Sequence, residues 1–108
     1  MHAILVSFRL EAGPQEVEQA LGPQMHKCAA TPGLIMKTLL MSDPQTWGGY
    51  YLFDTRDNAD AYLKGEFYQW LCNCPLLSAV EAQHFEVEAE GSKALGTPTV
   101  PLAQRNAV

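Results

Sequence analysis

No cluster of lysine and arginine occurs anywhere in this chain. Seven basic residues face twelve acidic ones, for a formal net charge of −5 and a pI near 5.0. Phosphate backbones are held by basic stripes or patches, so nucleic acid is not expected as a partner. No apolar stretch approaches the roughly 18 residues that a membrane-spanning helix needs, and no cationic N-terminal region leads into a cleavable apolar one. The expectation is a soluble, cytoplasmic protein with no membrane partner. Cysteine is scarce and odd in number: Cys28, Cys72 and Cys74 cannot all pair within one chain, which suits a reducing compartment. Cys72 and Cys74 have C-x-C spacing, but no second pair completes a four-ligand zinc site, so no metal site is expected. Gly48-Gly49 precedes a strand rather than a helix and therefore lacks the context of a phosphate-binding loop. No flavin, haem or nicotinamide motif is present, and the protein is expected to work without a cofactor.

What the chain does contain is enough for one core. Its 108 residues and 47% hydrophobic content fit a single domain that buries roughly 65% of its unfolded surface, without metal or disulfide staples. Ile4, Val6, Phe8 and Leu10 alternate with Leu5, Ser7 and Arg9, the period-two pattern of a strand. Pro14 suits the first turn of a helix over about 14–30, whose apolar stripe is Val17, Ala20, Leu21, Met25 and Cys28. Gly22-Pro23 inside that stripe predicts a kink or two short helices, because an interior proline loses a hydrogen bond and clashes with the preceding turn. His26 lies beside the stripe and reads as a solvated helix residue. After Thr31-Pro32-Gly33, residues 34–41 are almost continuously apolar apart from Lys37 and Thr38, and form a second strand. Asp43-Pro44-Gln45 turns the chain into a third strand over 47–53. Thr55 or Asp57 can cap a second helix over about 57–72, which Gly65 can interrupt and Pro75 ends. Residues 80–89 read as a fourth strand, with Phe85 and Val87 on one face and Ala82 and His84 on the other.

The order β-α-β-β-α-β predicts an α+β, ferredoxin-like fold in which a four-stranded antiparallel sheet carries both helices on one face. That domain would occupy residues 1–92, followed by a C-terminal tail over 93–108 without periodicity. The uncovered sheet face is expected to be hydrophobic and to pack on its copy, closing a homodimeric α+β barrel. Val100, Pro101 and Leu102 in the tail are expected to pack on that partner or across a pocket mouth.

Several blocks also carry a resemblance: Pro32-Gly33-Leu34 with Lys37, then Gly48-Gly49-Tyr50-Tyr51-Leu52-Phe53, then Ala59-x-Ala61-Tyr62-Leu63, and finally Phe85-x-Val87. In this order and with these gaps, over about residues 3–92, the chain resembles the YdhR-like mono-oxygenases of the dimeric α+β barrel superfamily. The resemblance implies a homodimer with one pocket per subunit between sheet and helices, and cofactor-free oxygenation of a phenolic or quinone-like compound. Met36 stands where that family can carry tryptophan, and His84 where an aliphatic residue is common.

Candidate site residues follow from chemistry. His84, as a neutral imidazole facing a pocket, could take a phenolic proton, and the resulting phenolate passes an electron to dioxygen far more readily than the phenol does. Tyr51, Tyr62, Phe67 and Trp70 are the aromatic concentration of the chain and would pack a flat small ligand, although core packing explains the same pattern. Arg9 and Lys37 would neutralise an anionic ligand if they faced the pocket, whereas lysine and arginine on strands more often extend to solvent. The expected function is a cofactor-independent mono-oxygenase acting on a small aromatic or quinone or polyketide-like compound. The alternatives are an isomerase or cyclase using the same pocket, or a non-enzymatic, stress-associated dimer that binds a small hydrophobic molecule.

Overall fold

A computed structural model describes residues 1–105, apart from the side chain of His26. The elements run β1 (His2–Leu10), α1 (Pro14–Cys28), β2 (Leu34–Asp43), β3 (Thr46–Phe53), α2 (Arg56–Lys64), α3 (Glu66–Asn73), β4 (Leu77–Glu86), α4 (Ala89–Ala94) and α5 (Leu102–Arg105). The strands form one antiparallel sheet in the order β2-β3-β1-β4. This is the ferredoxin-like β-α-β-β-α-β arrangement expected from the periodicity.

The helix starts and stops follow local chemistry. Pro14 opens α1, and the Thr55 hydroxyl caps α2 by accepting from the Asn58 amide at 3.2 Å. The second predicted helix is two, because Gly65 is in an extended conformation and serves as the cap of both. The kink predicted at Pro23 does not divide α1, which continues through the proline to Cys28. Its buried Val17 and Cys28 anchor both ends on the sheet, and tertiary packing outweighs one missing backbone bond. The fourth strand begins three residues earlier than its alternation suggested, and the tail beyond it holds the short helices α4 and α5.

The main core lies between the helices and one face of the sheet. Ile4, Val6, Phe8, Tyr51 and Phe53 from the strands meet Val17, Ala59, Tyr62 and Leu71 from the three helices. Ala3, Ile35 and Leu52 form a smaller cluster on the opposite face. On that face Leu40 and Phe85 remain exposed, at 38% and 48%. α5 lies against β2, and the Arg105 guanidinium donates to the Ile35 carbonyl. The described part of the tail therefore rests on the sheet's edge, and none of its described residues lines the cavity between α1, α3 and the β2–β3 hairpin.

Two bulges decide which side chains face the helices. Leu34 pairs with Phe53 but Met36 pairs with Leu52, so Ile35 is an extra residue in β2. Ile35 and Met36 then both pack on the far face, and Lys37, opposite Tyr51, turns under the helices. In β4 the register shifts opposite β1 between Ser7 and Arg9, and Ala79 there has φ 51°. Beyond it Ala82 pairs with Val6 and His84 with Ile4, which places both on the helix face.

Candidate functional site

A cavity of about 260 Å³ opens between α1, α3 and the β2–β3 hairpin. Its inner wall is Phe8, Trp47, Tyr51 and Leu71; Leu21 and Met25 come from α1 and Phe67 from α3. Leu39 and Met41, 63% and 74% exposed, sit on the overhanging end of β2 and form part of the lining. The room exists because β3 carries paired glycines at this point. A Cβ on Gly49 would lie 3.0 Å from the Tyr51 ring, so the bare backbone lets that ring lean over it. A Cβ on Gly48 would lie 2.1 Å from the Val6 carbonyl oxygen, so only glycine allows β1 and β3 to approach as they do.

Tyr51 is the centre of an aromatic array. Its ring centroid is 4.8 Å from that of Tyr62, which is 6.1 Å from Phe67, and Phe67 stacks on Trp70 at 6.2 Å and 14°. These are the separations at which aromatic pairs attract beyond their area burial. The four aromatic residues predicted from sequence are thus brought into one array, but only Tyr51 and Phe67 line this cavity. Tyr62 lines a second cavity of about 350 Å³, between the C-terminal half of α1 and the α2–α3 junction, and Phe67 lines both. Trp70 is half-buried, lines neither, and supports Phe67 from behind. The Tyr62 hydroxyl is buried without a hydrogen-bond partner among the described residues, and burial, reinforced by Tyr51, pushes its ionisation far above the ordinary tyrosine value. It can donate a hydrogen bond but cannot act as a base.

Polar groups are sparse around the first cavity. Among the described residues Glu18 is its one carboxylate, on the exposed face of α1, and Lys37 its one cation. The ammonium lies 4.7 Å from the ring centres of both Tyr51 and Phe67 and donates to Met25 Sδ and Cys28 Sγ, each at 3.3 Å. Trp47 Nε1 is buried with no hydrogen-bond partner among the described residues. Arg9, the other strand cation considered from sequence, is exposed and donates to Gln45 Oε1 at 3.2 Å.

His84 faces the helices, as a base acting there must, but at the opposite corner of the sheet. Its Nδ1 lies 3.0 Å from Nε2 of the buried His2, and it lines neither cavity. The pair needs one nitrogen as donor and the other as acceptor. Burial, then the neighbouring His84 and Arg56, hold His2 below its ordinary value. His2 gave no signal in the sequence, because its partner is 82 residues away. The side chain of His26 lies outside the described residues. Cys28, Cys72 and Cys74 are free thiols, and among the described residues no group of three or more His, Cys, Asp or Glu could hold a metal ion.

Comparison with known proteins decides the family. The family model described as "Putative mono-oxygenase ydhR" matches residues 4–97. The chain belongs to this mono-oxygenase family. Solved structures share its fold at low identity. SnoaB, a cofactor-independent oxygenase from Streptomyces nogalater, is 19% identical with a TM-score of 0.66, over 81% of this chain and 92% of that one. A protein of unknown function from Nitrosomonas europaea is 20% identical with a TM-score of 0.69, over 82% and 89%. The haem degrader MhuD from Mycobacterium tuberculosis, solved with two haems in its active site, is 16% identical with a TM-score of 0.62, over 81% and 95%. No curated protein sequence matches the chain. Within the family architecture, no helix among the described residues is long and apolar enough to cross a membrane.

Proposed function

We propose that this protein is a cofactor-independent mono-oxygenase that acts on a small, planar, phenolic or quinone-forming compound bound in the cavity between α1, α3 and the β2–β3 hairpin. The observation that carries the reading is the cavity's build: aromatic faces from Tyr51, Phe67 and Trp47, aliphatic walls, and few polar groups. Its volume of about 260 Å³ is just under the roughly 300–1,000 Å³ of typical small-molecule sites, which suits a compact substrate. Family membership supplies the reaction class.

Electron balance narrows the substrate further. Without a reductant, all four electrons that dioxygen accepts must come from the substrate. Oxidation of a methylene between two aromatic rings to a ketone meets that condition: the carbanion forms a C–O bond with dioxygen, and the resulting hydroperoxide loses water. One oxygen atom stays in the ketone and the other leaves as water with the two methylene hydrogens. Hydroxylation of a ring takes only two electrons and would need a donor. The proton acceptor in this proposal is Glu18 rather than His84, because a base must come within hydrogen-bond reach of the proton it removes and Glu18 lines the cavity.

A phenolic anthrone, followed by oxygen uptake and quinone absorbance, is a suitable probe. Stoichiometric uptake above the uncatalysed rate is expected. Glu18→Gln should lower turnover by about 10²–10⁴-fold and His84→Gln should leave it unchanged. The reverse pattern would return the base to His84. Binding of such probes without oxygen uptake would favour an isomerase or a binding protein instead. The assembly proposed for this site is a homodimer through the sheet face opposite the helices, supported by the exposed Leu40 and Phe85 there, and burying about 800 Å² per subunit. Light scattering should give twice the chain's 11.9 kDa. The three free thiols suit a cytoplasmic location.

A further inference from the structure

The chain has twelve acidic residues, yet the ammonium of Lys37 pairs with none of them. Among the described residues the one ion pair is Arg56–Asp60, on α2. A strand lysine ordinarily sends its charge to water along its stem. The bulge at Ile35 instead turns Lys37 under the helices, where two rings and two sulfur atoms surround its Nζ. Sulfur is a weak acceptor, and a ring face attracts a cation only through its quadrupole. The cage fixes where the charge sits but leaves its strongest interaction unmade. Glu18, the one carboxylate among the described residues that line the cavity, is exposed on α1 and forms no ion pair with it.

From this geometry we infer that the cavity between α1, α3 and the β2–β3 hairpin takes its ligand as an anion: an aromatic carboxylate or an ionised phenol or enol, whose oxygen accepts from Lys37 Nζ while its ring packs on Tyr51 and Phe67. The inference rests on the cavity being the substrate site, and it adds the ionisation state in which the substrate is held. An N⁺–H···O⁻ bond is shorter and roughly twice as strong as a neutral one, and apolar walls weaken it less than water does. A neutral ligand of the same shape gains the stacking but not that bond. The cage also holds the ammonium in place before the ligand arrives, which lowers the ordering cost of binding.

The test uses 2-naphthoate and 2-naphthamide, which share shape and differ in charge, titrated calorimetrically against the full chain at 0.15 M salt. The carboxylate should bind about ten- to a hundredfold more tightly, the range that hydrogen bonds to charged groups span. Lys37→Met keeps the length of the stem and should abolish the preference, whereas Lys37→Arg should keep most of it; thermal melts check that both variants fold. Equal affinities in the wild type, a preference that survives in Lys37→Met, or no binding of 2-naphthoate would overturn the inference. The oxygenase reading fails separately. Anion preference with no oxygen uptake on a phenolic anthrone would remove the oxygenase and leave the anion site, and uptake without anion preference would do the opposite.

Discussion

At one end of the sheet, the edge strand β4 brings His84 within 3.0 Å of buried His2, and each ring satisfies a nitrogen of the other. At the other end, the edge strand β2 brings Lys37 beneath the helices, where it meets rings and sulfur but no carboxylate. Both corners place polar groups against the core. The first is closed, since its two rings bond to each other; the second is open, since the groups around it are weak acceptors beside a cavity. Polar groups brought out of water are costly unless paired, and at the second corner the proposed anionic ligand would supply the partner that the protein does not.

The comparison can be broken hardest at Gly48. An added Cβ meets the Val6 carbonyl at 2.1 Å, so Gly48→Ala should disturb the β1–β3 ladder that floors the cavity. The expected loss is about 3 kcal/mol, which for a domain of this size lowers Tm by more than about 10 °C. A calorimetric melt within 3 °C of wild type would show that the floor yields. Phe67 comes next, because it lines both cavities and stacks on Trp70. Phe67→Ala should cost about 2 kcal/mol in urea unfolding, less than the 3–5 of a fully buried phenylalanine, and weaken aromatic ligands as the two cavities merge.

The closed corner should carry a pH dependence of its own. Burial, His84 and Arg56 lower the folded-state value of His2 below 6.5, while Asp60 and Glu86 oppose them. Below about pH 6.5 the unfolded chain therefore binds more protons at this site than the folded one does, and stability is lost as pH falls toward the lowered folded value. Tm followed from pH 7.5 to pH 5 should decline, and His2→Asn should flatten the decline. An unchanged slope in that variant would place the titrating group elsewhere. The smallest effect is expected at the β4 bulge. Ala79 holds φ 51°, which glycine adopts without strain, so Ala79→Gly should stabilise by up to about 1 kcal/mol. A loss of stability would mean that the Ala79 methyl packs usefully there.

Much of this molecule could be read from particular residues. The alternation from Ile4 to Leu10, the Pro14 start of α1, the Thr55 cap and the Gly65 break are local signals, and each element stands where its signal predicted it. Pro23 does not divide α1 into two short helices, since the local cost of a proline is outweighed when both ends of α1 are buried on the sheet. The tail helices gave no signal because they are four to six residues long and lack a full apolar stripe. Of the aromatic residues proposed for the site, Tyr51 and Phe67 line the cavity that holds Lys37, whereas Trp47 was overlooked because it sits at the start of its strand beside the glycines. A single cation in a nearly continuous apolar strand was the available sign of Lys37.

The sequence by itself determined the order of elements, the apolar stripe of each and the family to which the chain belongs, because these depend on spacing along the chain and on local backbone preference. Which face each candidate residue occupies was decided only by the tertiary structure. A strand alternates with a period of two, so one extra residue reverses everything beyond it. Ile35 in β2 and Ala79 in β4 are such residues. Without them Lys37 and His84 would both lie on the far side of the sheet. With them, both turn toward the helices, and the lateral position of each strand then separates them: β2 and β4 are the two opposite edges, so Lys37 reaches the cavity and His84 reaches His2. Neither a bulge nor a strand's place in the sheet is written in local spacing, since both arise from pairing with residues distant in the chain.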